Sequence, residues 1–219
     1  MIEPLSVTDS IVDYLRSKII TGELRPGQKL TESQLSSNLG ISRPPIREAF
    51  RILEHERAII SIPRKGVCVN KLTVRDCQEV YKVREMLECC AIDLLKEQKI
   101  SDLPEASSIQ KILAGLSISP KDDTDQRLRH HKIFFDFHAK IVEAAGNSWL
   151  NKFYRSLETT LRRYQFRYIY LPGASSPSIE EHHQILSLIK VGSYEDAKKC
   201  LKAHIDRTVT LLKVSINAE

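Results

Sequence analysis

Three arginines stand four residues apart between residues 42 and 54: Arg43, Arg47 and Arg51. A spacing of four puts side chains on one face of an α-helix, and an outward-facing guanidinium can bond guanine O6 and N7 together. Basic residues are concentrated locally, with eight Arg or Lys against three Glu over residues 41–75 of a chain whose net charge is +5. The pattern favours contact with nucleic acid, and on charge alone the alternative is a solvated surface.

A second basic set lies at a turn between two apolar runs, residues 58–62 and 67–69, which predict short strands. The turn contains Arg64, Lys65 and Gly66. Basic side chains at such a turn reach an adjacent DNA groove or the phosphate backbone, and a glycine permits close approach. We therefore expect these three residues to contact DNA.

The elements that must position these residues follow the order of a winged helix-turn-helix. A helix is predicted over residues 5–22. Thr31-x-x-Gln34 resembles a capping box that opens a short helix, which Gly40 ends. Ser42 is a good N-cap for the next helix, and the two strands come after it.

In a helix-turn-helix the second helix lies in the major groove, and the residues at its N-terminal end reach the base edges. That end contains Ser42, Arg43 and Arg47, which are the predicted base-reading residues. Arg51 lies further along the helix, where it contacts DNA phosphate or solvent. The predicted DNA-binding set is completed by the turn residues 64–66.

From residue 73 onward the apolar spacing is helical throughout. The predicted fold class is therefore mainly α, with a winged helix-turn-helix in residues 1–72 and an all-helical bundle in residues 73–219. Six helices are expected in the bundle, one of them running from residue 147 to about 170. Ser178-x-x-Glu181 predicts a capping box that opens the next helix.

Composition excludes several classes of protein. At 219 residues and 42% hydrophobic content, the chain fits two domains of moderate size. No apolar run approaches the length of about 20 residues that spans a bilayer, and no secretory signal is visible. The five cysteines are odd in number and form no C-x-x-C pair, as expected of reduced thiols. We expect a cytoplasmic protein without a membrane partner.

Residues 40–54 read G-I-S-R-P-P-I-R-E-A-F-R-I-L-E, which closely resembles the G-x-S-R-x-P-x-R-E-A-x-R-x-L-E pattern of the GntR family of bacterial transcription regulators. The resemblance covers residues 5–72. It implies a DNA-binding regulator, usually a repressor, that acts as a homodimer on a palindromic operator. One position departs from the family: Ser33 follows Glu32 where many members have an arginine.

The helical part resembles the FCD effector domain of the FadR-like branch of that family. Residues 83–88 are similar to its V-R-x-x-L-E helix, residues 137–147 to its F-H and A-x-G-N segment, and residues 181–205 to its closing pair of helices. The branch senses small organic acids or related metabolites, so the resemblance implies a carboxylate effector. Arg84 is the best candidate for an effector-facing charge, and an ion pair with Glu88 one turn on is the equal alternative.

Many members of the branch hold a divalent metal through one Asp and three His. His138, His182 and His204 stand at the three histidine positions, whereas Phe134 replaces the aspartate. The resemblance implies a three-histidine site for one zinc-like or nickel-like ion per chain, completed by water or an effector carboxylate. The same histidines and Arg84 are the predicted effector-binding residues. Alternatively, the histidines form hydrogen bonds in a polar cavity without metal.

These residues are compatible with three functional classes. The leading hypothesis is a regulator whose operator binding is controlled by an effector in the helical domain. A metal-dependent enzyme using the three histidines is an alternative, but no G-x-S-x-G, H-E-x-x-H or paired-carboxylate pattern supports it. A ligand-independent architectural DNA-binding protein is the third, and the histidine-bearing helices argue against it because a plain dimerisation bundle has no need of them.

Overall fold

The computed structural model describes residues 6–119 and 121–218. The chain divides into two compact units, Met1–Leu72 and Thr73–Glu219. Each unit has its own buried core.

The first unit combines three helices with a small antiparallel sheet. Its described elements are α1 (Val7–Thr21), β1 (Lys29–Leu30), α2 (Glu32–Leu39), α3 (Arg43–His55), β2 (Ile59–Ile62) and β3 (Gly66–Val69). The strand order is β1-β3-β2, so β3 lies in the middle. Lys29 on β1 and Ile60 on β2 both pair with Cys68. The sequence did not predict β1, because two residues are too few to show an alternating pattern.

The helix-turn-helix forms as its capping residues predict. The Thr31 hydroxyl accepts a hydrogen bond from the Gln34 backbone N–H at 3.2 Å. Gly40 ends α2 at φ +66°, a left-handed conformation that costs glycine little. Ser42 is the N-cap of α3, although its side chain makes no capping hydrogen bond.

One face of α3 is buried, and the opposite face is exposed. The buried residues are Ile46, Ala49, Phe50 and Leu53, and α1 packs against this helix. Burying one side of α3 leaves its arginines in solvent, which is the arrangement expected of a recognition helix.

All the regular elements in the described part of the second unit are helices. Its elements are α4 (Val74–Glu97), α5 (Pro104–Ala114), α6 (Thr124–Ala144), α7 (Ser148–Ser156), α8 (Glu158–Tyr168), α9 (Ser175–Lys190) and α10 (Tyr194–Asn217). α10 packs against α4, α8 and α9, and α6 packs against α4, α5, α7 and α8. The predicted fold class is confirmed. Among the described helices, none combines the length and the apolar composition needed to cross a bilayer.

The prediction of one helix over residues 147–170 was wrong. The helix ends at Ser156, and a new one begins at Glu158. At the break, the Leu157 N–H bonds the Tyr154 carbonyl at 3.1 Å, a tighter turn than that of an α-helix. Neither Gly nor Pro stands there, so packing of the two halves decides the break: Tyr154 before it and Leu161 after it are both fully buried.

The capping box predicted for Ser178 and Glu181 was also wrong. α9 begins three residues earlier, at Ser175, and Ser178 is buried within it. The Glu181 carboxylate bonds His204 and Arg207 on α10 instead of the helix terminus. The S-x-x-E pattern was thus a false capping signal, because its glutamate is used for tertiary contacts.

Candidate DNA interface and histidine site

The predicted DNA-binding residues of the recognition helix lie together in solvent. Ser42, Arg43, Arg47 and Arg51 are all exposed, and the Arg47 and Arg51 side chains are 60% and 71% accessible. Arg51 Nη1 forms one hydrogen bond to Glu48 Oε2, at 3.2 Å on the same helix. The exposed face of α3 therefore presents guanidinium groups that a DNA groove can accept.

Arg47 is held by a residue that the sequence analysis did not assign to the site. Its Nε and Nη2 donate to the two carboxylate oxygens of Glu32 on α2, each at 3.0 Å. The hydrogen bonds from Arg47 lower the pKa of Glu32, so the carboxylate stays ionised. The pair links the two helices of the helix-turn-helix.

The wing is the turn between β2 and β3. Lys65 N–H bonds the Ile62 carbonyl at 3.0 Å, which closes the turn. Arg64 and Gly66 adopt φ of +66° and +85°, and all three residues from 64 to 66 are exposed. A short left-handed turn brings the backbone as well as two basic side chains to the tip.

In the second unit, three helices bring the predicted metal-ligating histidines together. His138 comes from α6, His182 from α9 and His204 from α10, and their exposed fractions are 1%, 1% and 3%. One ring nitrogen of each lies within 4.8 Å of the others. His138 Nε2 and His182 Nε2 are 3.0 Å apart.

Two carboxylates set the tautomers of His138 and His204 in this histidine cluster, which consists of His138, His182 and His204. Glu88 Oε2 lies 2.8 Å from His138 Nδ1, and Glu181 Oε2 lies 2.7 Å from His204 Nδ1. Because an ionised carboxylate only accepts hydrogen bonds, each Nδ1 carries the proton and each Nε2 lone pair faces inward. Burial, reinforced by the Arg84 charge, lowers the pKa of His138 to about 3. The rings are therefore neutral, the form in which imidazole binds metal.

Glu88 joins the histidine cluster to two further groups. Its Oε1 accepts hydrogen bonds from Arg84 Nε at 2.6 Å and Tyr154 OH at 2.8 Å. Burial alone would raise the pKa of Glu88, but the Arg84 charge and the hydrogen bonds from His138 and Arg84 outweigh it and hold that pKa below its ordinary value. The carboxylate is therefore ionised, completely buried and bonded on both oxygens.

Arg84 forms the ion pair with Glu88 that was one of its two predicted environments. Its Nε pairs with Glu88, whereas its Nη2 is buried without a hydrogen-bond partner among the described residues. Arg84 also lines the small cavity beside the histidine cluster. Two other lining residues leave a buried polar atom unpartnered in the same way, Gln165 through Oε1 and His182 through Nδ1.

The cavity has a volume of about 10 Å³, which is room for one water molecule or ion. Phe134 lines it at the position where the family pattern has an aspartate, and its ring centroid lies 5.8 Å from that of His182. The Phe137 ring stacks on His182, with ring centroids 4.0 Å apart. In the described part of this unit, three histidines are the residues that could hold an ion. The neighbouring rings of Phe134 and Phe137 offer no ligand atom.

Several residues of the histidine site could not be recognised in the sequence. The sequence indicates Glu88 only as a partner of Arg84, and Glu181 only as a helix cap. Tyr154 and Gln165 gave no signal, because isolated polar residues in a helical pattern look like surface positions. The available clue was adjacency: Glu181 precedes a predicted ligand, and Glu88 follows Arg84 by one helical turn.

Comparisons with known proteins match the chain to a DNA-binding family model followed by an effector-domain model. Residues 7–69 match the bacterial regulatory proteins of the gntR family, and residues 79–207 match the FCD domain. The uncharacterized HTH-type transcriptional regulator YdhC of Bacillus subtilis is 27% identical over 201 residues, which cover 92% of this chain and 88% of that protein. The gluconate operon transcriptional repressor of Bacillus subtilis is 29% identical over 150 residues, covering 68% of this chain and 60% of the repressor.

A solved structure shares the fold. A GntR transcriptional regulator from Rhodococcus sp. RHA1 superposes with a TM-score of 0.75 at 23% identity, covering 95% of this chain and 98% of that one. The relatives are transcription regulators, so the alternatives of a metal-dependent enzyme and of an architectural protein are not favoured. This chain belongs to the GntR family and is a DNA-binding transcription regulator with an FCD effector domain.

Proposed function

We propose that the protein is a homodimeric cytoplasmic repressor that releases a palindromic operator when a carboxylate effector binds beside a divalent metal in the FCD domain. The observation that carries this proposal is the convergence of three neutral imidazoles and the unpartnered Arg84 Nη2 on one buried cavity. A metal ion would be bound by the imidazole nitrogens, and an anion would accept a hydrogen bond from Arg84 Nη2. An apolar ligand would do neither.

The proposed DNA contacts follow from exposure and position. Ser42, Arg43 and Arg47 at the N-terminal end of α3 reach base edges in the major groove, and Arg51 contacts phosphate. The wing residues Arg64, Lys65 and Gly66 approach the adjacent groove or backbone. All seven residues are exposed and belong to one compact unit, which supports these proposed DNA contacts.

His138, His182 and His204 would hold the metal. Zn–N bonds of about 2.0–2.1 Å put tetrahedral donors about 3.4 Å apart. That separation lies between the 3.0 Å from His138 Nε2 to His182 Nε2 and the 4.8 Å within which all three donors lie. The Glu88 and Glu181 carboxylates already orient two of the rings. When bound, the ion supplies a Lewis-acidic position for an oxygen ligand. Because Phe134 provides no ligand, that position stays open to water or to the effector.

A carboxylate effector would pair with Arg84 and present a hydrogen-bond donor to Gln165. At about 10 Å³ the cavity is too small for an organic acid, since ligand pockets usually measure about 300–1,000 Å³. The effector must therefore bind a more open arrangement of the helices. A ligand that binds only the open state shifts the population towards it, which is the requirement for an inducer.

The proposed dimer surface, Val83, Met86, Trp149 and Phe153, lies on two neighbouring helices, α4 and α7. These apolar side chains are 43%, 62%, 65% and 57% exposed. Large exposed apolar side chains on adjoining elements mark interaction surfaces. A second copy of the chain is the fitting occupant, because a palindromic operator requires two recognition helices related by two-fold symmetry.

The proposed function can be tested with an operator selected from a random duplex library and a thermal-shift screen of organic acids on zinc-loaded protein. A cognate acid should raise the Tm by mass action and release the operator in a gel shift. His182→Ala should abolish both effects, and His183→Ala, an exposed neighbour, should keep them. An effect of the acid that survives in His182→Ala would contradict the assignment of the effector to this site.

A further inference from the structure

We infer that Glu32 is a positioning residue for sequence recognition: its carboxylate holds the Arg47 guanidinium so that the outer edge of that group faces a guanine. The inference rests on the proposed assignment of Arg47 to base reading. Glu32 is not among the proposed DNA-contacting residues, and it precedes Ser33, the position that departs from the family pattern.

The geometry of the pair leaves one edge of the guanidinium available. Glu32 occupies the side edge, formed by Nε and Nη2, with both distances at 3.0 Å. The end edge, formed by Nη1 and the second N–H of Nη2, points away from a carboxylate bound in this manner. That edge has the two-donor pattern that matches guanine O6 and N7.

The position of Glu32 argues against a mainly stabilising role. The pair is exposed, with side chains 60% accessible for Arg47 and 30% for Glu32, and exposed ion pairs contribute little to folding. A carboxylate next to a DNA-binding surface also repels phosphates and so opposes affinity. Preordering Arg47 compensates for that cost, because an arginine that is already oriented loses less rotamer freedom on binding.

The other arginines of α3 are held less firmly. Arg51 has a single 3.2 Å hydrogen bond to Glu48 on its own helix, whereas Arg47 is fixed at two points from a different helix. Arg43 acts on Glu32 only through its charge. Because position 33 is a serine, α2 has no guanidinium there that could also contact DNA. Selectivity therefore depends more strongly on Arg47.

The test measures selectivity, the ratio of the Kd for random duplex to the Kd for the selected operator. Glu32→Gln should lower this ratio about tenfold, within the range expected for one two-point base contact. Glu48→Gln is the matched control, since it removes the same charge from the same surface, and it should keep the ratio. Unchanged or tighter binding to random duplex by Glu32→Gln shows that the variant is folded.

A double-mutant cycle shows whether Glu32 acts through Arg47. Glu32→Gln should have no further effect on selectivity in an Arg47→Ala background. Replacing the guanine that Arg47 reads with 7-deazaguanine, which lacks N7, should reduce the selectivity of the wild type but scarcely that of Glu32→Gln.

Wild-type selectivity in Glu32→Gln would overturn the inference while leaving the assignment of Arg47 intact. Losses that add in the double variant would also overturn it, because Glu32 would then contact DNA independently. Full selectivity in Arg47→Ala would instead remove the assignment on which the inference rests, so the two failures are distinguishable.

Discussion

At the scale of single residues, a carboxylate in each unit orients a neighbouring basic or imidazole side chain. Glu88 is fully buried and bonds Arg84, His138 and Tyr154, so it keeps a charge inside the protein and sets an imidazole tautomer. Glu32 fixes an arginine on the surface. His138 and Arg47, which have proposed functions, are thus each oriented by an acid on another helix.

Glu88→Gln should destabilise the second unit by about 3–5 kcal/mol, because the buried Arg84 charge loses its partner. An amide can also donate to His138 Nδ1, which would move the ring proton to Nε2 and weaken metal binding. Thermal unfolding and zinc titration measure the two effects. Tyr154→Phe, which removes one hydrogen bond to the same carboxylate, should cost only about 1 kcal/mol. Equal losses in the two variants would argue against a buried ion pair.

Arg47→Ala should weaken operator binding by at least about tenfold without unfolding the protein, because it removes a two-point base contact from an exposed position. Arg75→Ala is a suitable control, since it deletes the same charge from a side chain that is 89% exposed on α4. Anisotropy titration of the selected operator gives both affinities. Retained sequence-specific binding by Arg47→Ala would exclude α3 as the recognition helix.

The sequence identified the histidines and the Arg84–Glu88 pair but not the carboxylates that orient the histidines. A ligand-type residue is recognisable by itself, whereas Glu88 and Glu181 acquire their importance from contacts 50 and 23 residues away. Such contacts depend on how helices pack, which no local pattern encodes.

At the scale of elements, caps with local partners could be predicted, and breaks decided by packing could not. Thr31 opens α2 by accepting a hydrogen bond from the Gln34 N–H, and Gly40 ends it in a left-handed conformation, so this prediction was confirmed. The division of α7 from α8 at Leu157 has no local signal and follows from tertiary contacts. Ser178 and Glu181 show the opposite error, where a correct local pattern is overridden by partners on α10.

The α4 and α7 surface should control assembly. Met86→Glu combined with Trp149→Glu should convert the dimer to a folded monomer, because charges buried in an apolar interface are costly. Ile112→Glu, a similarly exposed change on α5, should leave the dimer intact. Light scattering after size exclusion distinguishes the two masses. A dimer that survives the double change would place the interface elsewhere.

At the scale of the whole molecule, a DNA-binding unit and an effector unit occupy one chain, and each has a core of its own. The effector unit is closed around a cavity of about 10 Å³, so a larger ligand must act by opening it. In the proposed mechanism, control of transcription depends on the difference in effector affinity between closed and open states.

Metal should stabilise the effector unit measurably. With free zinc about 100-fold above its Kd, binding contributes about 2.7 kcal/mol and raises the Tm by about 5–10 °C. A chelator should reverse the rise. An unchanged Tm on adding zinc to chelator-treated protein would show that the histidine cluster is held together by hydrogen bonds alone.

Metal analysis of the purified protein tests most directly whether the histidine cluster is the centre of the sensor. We predict about one transition-metal ion per chain in the wild type and in His183→Ala, and almost none in His182→Ala, because two imidazoles without a carboxylate ligand make a weak site. Equal metal content in His182→Ala and the wild type, or a wild type that binds no added zinc, would contradict the account.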